Sequence, residues 1–381
     1  MTRRILNQPL ETLRRRTSVK WMAHPADVLP LWVAEMDVAT VPAVADAMTT
    51  AMELGDTGYS WPADYLRAVS AFAADRWGWQ ADPARARLVP DVMIGITETL
   101  RAIGEPGDAV VINPPVYEPF WTVIDATGRT LVEAPLGADD RLDLAVLERA
   151  YETAAGLGAH PTHLLCSPHN PTGTVHTAAE LVAVMELARA YGVQVVVDEI
   201  HAPVVRPGVT HTPLLSLPEG AAAVSLLSAS KGWNLAGFKA AALVAGPDAH
   251  ELLASIPADV SYGASHLATQ AQAAAFDRGR EWLDVLLLDL EDNRRLLGEL
   301  LPEHLPAVRW SVGDGTYFAW LDCRDLGLGD DPARTFLDRG RVALSSGTSF
   351  GTGGAGFARL NLATSPEILT EAVRRMAAAA R

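Results

Sequence analysis

The chain has few cysteines and a deficit of basic charge, and each deficit excludes a class of protein. Its 381 residues include two cysteines, Cys166 and Cys323. A disulfide-stabilised secreted fold is therefore not expected, and a reducing compartment is. Lysine and arginine total 31 against 46 aspartates and glutamates, which leaves a formal net charge of −15. A nucleic-acid-binding surface needs positive charge, so we expect no DNA or RNA partner.

Long apolar runs are also missing. The sequence contains no run of about 18 apolar residues, so it predicts no helix that spans a membrane. Residues 1–16, MTRRILNQPLETLRRR, lack the apolar core of a signal peptide, and we therefore expect a cytoplasmic protein. The hydrophobic fraction is nevertheless 49%, which is enough for a sizeable packed core.

Alternating segments between residues 108 and 245 predict an α/β fold. Short Val/Leu/Ile runs such as VQVVVDE alternate with longer amphipathic segments, which indicates βαβ units and a mostly parallel mixed sheet. After residue 263, Ala/Leu-rich helices and the strands TYFAWLDC, RVAL and FARLNLA predict a smaller α+β domain. We predict an N-terminal segment that belongs to the small domain (1–45), a large domain (46–275) and a C-terminal small domain (276–381).

Two further motifs have functional interpretations that their surroundings disfavour. GTGGAGF at 351–357 has nucleotide-binding spacing, but a strand follows where that motif requires a helix, so we favour a mobile glycine loop. HPTHLLCSPHN spaces His160, His163, Cys166 and His169 three apart, and these residue types are metal ligands in other proteins. Residues three apart on a strand face opposite sides, so we expect packing roles there and no metal site.

Polar side chains follow four predicted strands. They are Tyr117 in INPPVYEPF, Asn170 in CSPHNPTG, Asp198 in VVVDEIH and Lys231 in SASK. The carboxyl ends of parallel strands meet at one edge of a sheet, where ligands bind. A buried aspartate and a buried lysine are each costly unless they are paired. Pyridoxal 5′-phosphate would pair with both, through its pyridinium nitrogen and its aldehyde.

These motifs resemble those of fold type I pyridoxal-phosphate enzymes, the aminotransferase class I/II superfamily. SASKGWNLAGFK resembles the lysine signature of that superfamily, and NPTG resembles its asparagine signature. Within the superfamily the chain is most similar to the MalY/PatB-type cystathionine β-lyase group. Eight motifs carry this resemblance in order: RTSVKW, WVAEMD, GYSWP, PPVYEPF, CSPHNPTG, DEIH, SKGWNLAG and TYFAWLDCR. The resemblance implies a large domain of the PLP-dependent transferase type that binds the cofactor.

The resemblance also implies roles for five residues. Lys231 matches the Schiff-base lysine, which also moves the Cα proton of the substrate. Asp198 matches the partner of the pyridinium nitrogen, and Asn170 matches the residue that hydrogen-bonds the phenolic O3′. Tyr117 matches the aromatic side chain that stacks on the cofactor ring. Arg359 in FARLNLA matches the arginine that binds the substrate α-carboxylate.

The phosphate group and O3′ have further candidates. His201 stands three residues after Asp198, and either contact with O3′ or simple packing remains open for it. The phosphate would take hydrogen bonds from the backbone N–H groups of Ile96 and Thr97, at the start of the helix in MIGITETL. Its other predicted contacts are Ser228, Ser230, Lys239 at a position where the superfamily usually has arginine, and Tyr59 from the partner subunit of a homodimer.

The predicted activity is cleavage of a carbon–sulfur bond. The resemblance implies a β-lyase that converts L-cystathionine, or a related cysteine S-conjugate, into a thiol, pyruvate and ammonia. An aminotransferase is the alternative, because Lys231 and Asp198 would serve both reactions. Departures from the group pattern, such as Glu35 where it usually has aspartate, leave the natural substrate and leaving group open. A regulatory role through a protein partner is open as well.

Overall fold

The computed structural model describes residues 4–381, so the first three residues of the predicted N-terminal segment lie outside it. The strands within this range are β1 (Leu29–Pro30), β2 (Ala86–Val89), β3 (Ala109–Ile112), β4 (Thr130–Glu133), β5 (Thr162–Cys166), β6 (Gln194–Asp198), β7 (Val224–Leu227), β8 (Ala241–Ala245), β9 (Arg309–Trp310), β10 (Phe318–Asp322), β11 (Val342–Ala343), β12 (Ser345–Ser346) and β13 (Phe357–Asn361). The α-helices are α1 (Leu10–Leu13), α2 (Val19–Met22), α3 (Pro42–Leu54), α4 (Ala63–Trp77), α5 (Val92–Ile103), α6 (Pro119–Ala126), α7 (Leu144–Ala155), α8 (Ala178–Tyr191), α9 (His250–Ser255), α10 (Asp259–Tyr262), α11 (His266–Arg278), α12 (Arg280–His304), α13 (Pro332–Gly340) and α14 (Pro366–Ala379).

A seven-stranded sheet forms the centre of the molecule. Its strands run in the order β2-β8-β7-β6-β5-β3-β4, and all neighbours are parallel except the two pairs that involve β8. Strands β3, β5, β7 and β8 are buried along their whole length. Burial on both faces explains why these strands are mostly apolar, with Thr162, His163 and Ser225 as exceptions. The predicted mostly parallel α/β fold is confirmed.

The two helices that flank β5 in the chain, α7 and α8, begin and end at residues that suit helix termini. Asp143 caps α7, and its carboxylate accepts hydrogen bonds from the N–H groups of Ala145 and Val146. Helix α8 begins with a capping box formed by Thr177 and Glu180. It ends at Gly192, which has a φ of 67° that favours glycine. These signals set the lengths of the two crossovers that flank β5.

A second, antiparallel sheet lies in the C-terminal part of the chain, with the strand order β12-β13-β10-β9. Near it, β1 pairs with β11 in parallel, with Leu29 opposite Val342. This pairing supports the idea that the N-terminal segment belongs to the small domain. We keep the division at residues 45 and 275 as a proposal.

Two motifs that sequence analysis set aside have ordinary structural roles. The glycine-rich segment contains Gly351 and Gly353 at φ values of 80° and 86°, and the predicted strand β13 follows it. His163 is buried, with Nδ1 2.6 Å from the Tyr151 hydroxyl and Nε2 2.7 Å from the Asn113 side-chain oxygen. Among residues 4–381, no helix combines the length and the apolarity needed to cross a membrane.

Candidate active site

A cavity lies at the edge of the large sheet where β5, β6 and β7 end. It gathers eight of the twelve predicted site residues: Tyr117, Asn170, Asp198, His201, Ser228, Ser230, Lys231 and Lys239. These residues come from five separate stretches of the sequence. The parallel arrangement of the strands explains their convergence, because each loop leaves the same edge of the sheet.

Lys231 lies four residues beyond the end of β7. Its amine donates a hydrogen bond of 3.5 Å to the carbonyl oxygen of Ala34. Burial lowers the pKa of Lys231 to about 8, with a further decrease from the charge of Arg359 and an opposing increase from Asp198. At pH 7 about a tenth of the amine is therefore neutral, far more than for an exposed lysine, and a neutral amine is a nucleophile and a base.

Asp198 ends β6 and is 3% exposed. One carboxylate oxygen accepts a 3.0 Å hydrogen bond from the N–H of Ile200. Burial raises the pKa of Asp198 to about 6, although this hydrogen bond and the charge of Lys231 oppose the increase. Within residues 4–381 the carboxylate has no salt bridge. A protonated ring nitrogen held against it would supply the missing cation, so this site fits a pyridinium group.

Arg359 lies on β13 and contacts Asn170, which lines the cavity. Its guanidinium donates 2.8 Å hydrogen bonds to the Asn170 side-chain oxygen and the Trp32 carbonyl oxygen. It also lies over the ring of Phe318, 4.0 Å from the centroid. Burial lowers the pKa of Arg359 to about 10, which still leaves it charged at neutral pH. In the described part of the chain, no carboxylate pairs with this arginine, so its charge can receive the carboxylate of a ligand.

Tyr117 and His201 are neutral groups in the cavity wall. Burial, followed by the charge of Asp198, raises the pKa of Tyr117 to about 12. His201 is buried edge-on against the rings of Tyr317 and Phe318, with centroid distances of 5.9 and 5.6 Å. Burial and the charge of Lys231 hold the pKa of His201 well below its usual value. Among residues 4–381, its Nδ1 has no hydrogen-bond partner, so it can accept one from a ligand.

The predicted position of Ile96 and Thr97 at the start of a helix is wrong. Helix α5 begins at Val92 with Asp91 as its N-cap, so Ile96 and Thr97 belong to the second turn. Backbone N–H groups beyond the first turn donate to carbonyl oxygens of the same helix and are not free to bind a ligand. The N–H groups of the first turn point outward at the same edge, and their residues Val92 and Met93 line the cavity. We therefore assign the phosphate contacts of α5 to Val92 and Met93 as a proposal. The N-cap aspartate was the signal in the sequence that would have located this turn.

Ser228, Ser230 and Lys239 line the cavity together with Val92 and Met93. The Ser228 hydroxyl donates a 2.9 Å hydrogen bond to the carbonyl oxygen of Ala240 and accepts one of 3.2 Å from the N–H of Ser230. Lys239 places its amine 2.9 Å from a carboxylate oxygen of Asp91. The sequence did not predict this ion pair, because its members are separated by 148 positions.

Tyr59 lies outside the cavity of its own chain. It is 86% exposed and packs edge-on against Tyr262, with the ring centroids 6.2 Å apart. Met52, Leu54 and Trp61 are exposed in the same part of the sequence. An exposed apolar cluster of this kind is typical of a protein–protein interface.

The segment around Ala34 has a positioning role that sequence analysis did not assign. The Ala34 carbonyl oxygen accepts hydrogen bonds from Lys231 and, at 3.1 Å, from the Tyr317 hydroxyl. A buried ion pair between Lys20 and Asp37, 2.9 Å apart, holds the end of this segment. These two residues belong to RTSVKW and WVAEMD, which had been noted only as part of the resemblance. Lys20 stands between Val19 and Trp21, and Asp37 stands between Met36 and Val38, so charged residues with apolar neighbours were the available signal.

The pKa of Lys231 leads to a prediction for cofactor loading. The amine must be neutral to attack an aldehyde, so addition of pyridoxal 5′-phosphate to cofactor-free protein should speed up as pH rises and level off above about pH 8. Stopped-flow absorbance at a series of pH values would measure this. A rate that keeps rising to about pH 10, the range of an exposed lysine, would contradict the prediction.

Comparison with known proteins identifies relatives of this chain. A family described as "Aminotransferase class I and II" matches residues 26–376. A Mycobacterium leprae protein named "Putative cystathionine beta-lyase" is 52% identical, over 96% of each chain. A Corynebacterium glutamicum protein named "Cystathionine beta-lyase" is 35% identical, over 97% of this chain and 98% of that one. The crystal structure of cystalysin from Treponema denticola, which contains pyridoxal 5′-phosphate, superposes with a TM-score of 0.89 at 26% identity and covers 96% of each chain.

Proposed function

The chain belongs to the aminotransferase class I and II family, and we propose that it is a pyridoxal-phosphate-dependent C–S β-lyase. Its substrate would be L-cystathionine or a related cysteine S-conjugate. The observation that carries this proposal is the convergence of Lys231, Asp198 and Asn170 in one cavity, with Arg359 bonded to Asn170. The similarity to proteins named cystathionine β-lyase supports the lyase reaction in particular.

Each residue of this cavity would have a separate role in the reaction. When bound, pyridoxal 5′-phosphate supplies an aldehyde for a lysine amine and an electron-withdrawing ring that acidifies the substrate Cα–H bond. Lys231 would bind the aldehyde carbon and later take the Cα proton. Asp198 would hold a proton on the ring nitrogen. Tyr117 would pack against the ring, and Asn170 would donate a hydrogen bond from its side-chain nitrogen to O3′.

Arg359 would bind and orient the substrate. Its guanidinium can hold the α-carboxylate while its bond to Asn170 keeps it in place. Once Cα has lost its proton, the bond between Cβ and sulfur would break, and the sulfur would leave as a thiolate that takes up a proton to become the thiol. Addition of water then gives pyruvate and ammonia. His201, buried and neutral, would accept or donate one hydrogen bond near O3′ without adding charge.

An enzymatic assay separates the lyase from the aminotransferase. Purified protein is given L-cystathionine in one reaction, and an amino donor with 2-oxoglutarate in another. We expect pyruvate and ammonia in equal amounts from the first reaction and little glutamate from the second. Glutamate without pyruvate would overturn the lyase assignment, because the same lysine and aspartate serve transamination.

We also propose a homodimer in which Tyr59 contacts the phosphate in the partner's site. Its exposure, and its position outside its own cavity, support this arrangement. A cytoplasmic location is proposed as well, since both cysteines are buried free thiols.

Hybrid dimers test the shared site. Lys231→Ala and Tyr59→Ala homodimers should each have low activity, because every site lacks one group. Mixing equal amounts after reversible dissociation should recover about one quarter of wild-type activity, since half of the dimers are hybrids with one complete site. Size-exclusion chromatography would verify the assembly. No recovery in a mixture that contains hybrids would contradict the assignment of Tyr59.

A further inference from the structure

An acidic residue lies at the end of the cavity that would receive the cofactor phosphate. Asp91 and Lys239 both line the cavity, and their charged atoms are 2.9 Å apart. The lysine side chain is 59% exposed and the aspartate 27%, so the pair is open to solvent on one side. A carboxylate is an unexpected neighbour for a phosphate dianion, because the two repel each other.

The two oxygens of Asp91 have different partners. One accepts a 2.8 Å hydrogen bond from the N–H of Ile94 and caps α5. The other pairs with Lys239. The cap holds the carboxylate beside the N–H groups of Val92 and Met93, which are the donors proposed for the phosphate. These two contacts favour the position of the negative charge beside a bound anion.

The remaining phosphate contacts are mostly uncharged. The proposed contacts are the N–H groups of the first turn of α5 and the hydroxyls of Ser228 and Ser230, and Lys239 is the cation among them. Lysine is a point charge on a flexible stem and lacks the bidentate geometry of arginine. Its charge is balanced by Asp91 before any ligand arrives.

From these contacts we propose that Asp91 sets the strength of cofactor binding by opposing Lys239 at the phosphate end of the site. This inference rests on the proposed cofactor site and extends it. The charge of Asp91 weakens the binding of the phosphate. The charge of Lys239 offsets the repulsion between the Asp91 carboxylate and the phosphate. The pair keeps the cofactor exchangeable, whereas a free cation at this position would retain it more strongly.

The proposal predicts opposite effects for the two members of the pair. Asp91→Asn keeps the capping oxygen for Ile94 and removes the charge, so it should tighten the binding of pyridoxal 5′-phosphate about threefold to tenfold. Lys239→Met leaves the carboxylate unbalanced and should weaken binding about tenfold or more. The double variant should lie within about threefold of wild type, since both charges are gone.

The experiment measures cofactor dissociation constants rather than activity. Each full-length holoenzyme is stripped of cofactor by dialysis and titrated with pyridoxal 5′-phosphate, and separately with pyridoxal, while visible absorbance is followed. Pyridoxal lacks the phosphate, so its binding should be equal in all variants. Asp338→Asn, which breaks the exposed pair between Arg334 and Asp338 on α13, serves as a matched control. Thermal melts of the cofactor-free proteins verify that each variant is folded.

The outcomes separate this inference from the proposed function. If wild type binds pyridoxal 5′-phosphate but Asp91→Asn binds it equally or more weakly, the role of Asp91 is overturned and the cofactor site stands. Equal shifts for pyridoxal would also overturn it, because the effect would then not involve the phosphate. Wild-type protein that binds no cofactor would overturn the proposed function itself, and this inference with it.

Discussion

Replacement of Lys231 by alanine is expected to lower β-elimination of L-cystathionine by about 10³-fold or more. The variant loses both the amine that binds the aldehyde carbon and the base that takes the Cα proton. Its structure should change little, since the Lys231 amine makes one weak hydrogen bond, at 3.5 Å, to the Ala34 carbonyl oxygen. Steady-state assays of pyruvate formation and a thermal melt of the same preparation would measure the two effects.

The small number of lysines makes the covalent assignment easy to verify. The chain has three, Lys20, Lys231 and Lys239. Reduction of the holoenzyme with borohydride followed by peptide mass analysis should place the cofactor on Lys231. Lys20 is an internal control, because it is buried against Asp37 and does not line the cavity. Labelling of Lys239, or full activity in Lys231→Ala, would contradict the assignment.

Replacement of Asp198 by asparagine is expected to lower kcat by about 10²-fold to 10³-fold. The asparagine oxygen can still accept the hydrogen bond from Ile200, so the loop after β6 should keep its position. The variant loses only the charge that holds a proton on the ring nitrogen. Burial costs less for the neutral amide than for the carboxylate, so the cofactor-free variant should be at least as stable as wild type.

A matched substitution distinguishes this effect from a general loss of packing. Glu199, the next residue, is also buried, but its carboxylate accepts a hydrogen bond from the N–H of Leu214 and lies outside the cavity. Glu199→Gln should therefore affect the thermal melt more than kcat. Equal kcat losses in the two variants would contradict the specific role of Asp198.

The sequence predicted those site residues whose position follows from a strand end. Asp198 is the last residue of β6 and Asn170 lies shortly after β5, so once the strands are recognised both side chains are placed at one edge of the sheet. The same reasoning failed for Ile96 and Thr97, because the start of a helix depends on its cap. A shift of four residues along a helix moves an N–H group from a free turn into a bonded one.

Contacts between distant segments were the other part that the sequence could not predict. The pair of Asp91 with Lys239, and that of Lys20 with Asp37, join residues whose proximity depends on the completed fold. The antiparallel direction of β8 also went unpredicted. Its apolar run is the same as that of a parallel strand. The connection from β7 (residues 228–240), which contains Lys231, has no crossover helix, and this distinguishes it.

The pairing of β1 with β11 has a consequence for the order of events during synthesis. The segment that presents Ala34 to Lys231 is held by residues near the far end of the chain: Leu29 lies opposite Val342, and the N–H of Asp37 bonds to the carbonyl oxygen of Ala363 at 2.8 Å. The ribosome releases the N-terminal segment first, yet its binding partner emerges last. The large sheet can form beforehand, so the cavity acquires its final wall only after translation is nearly complete.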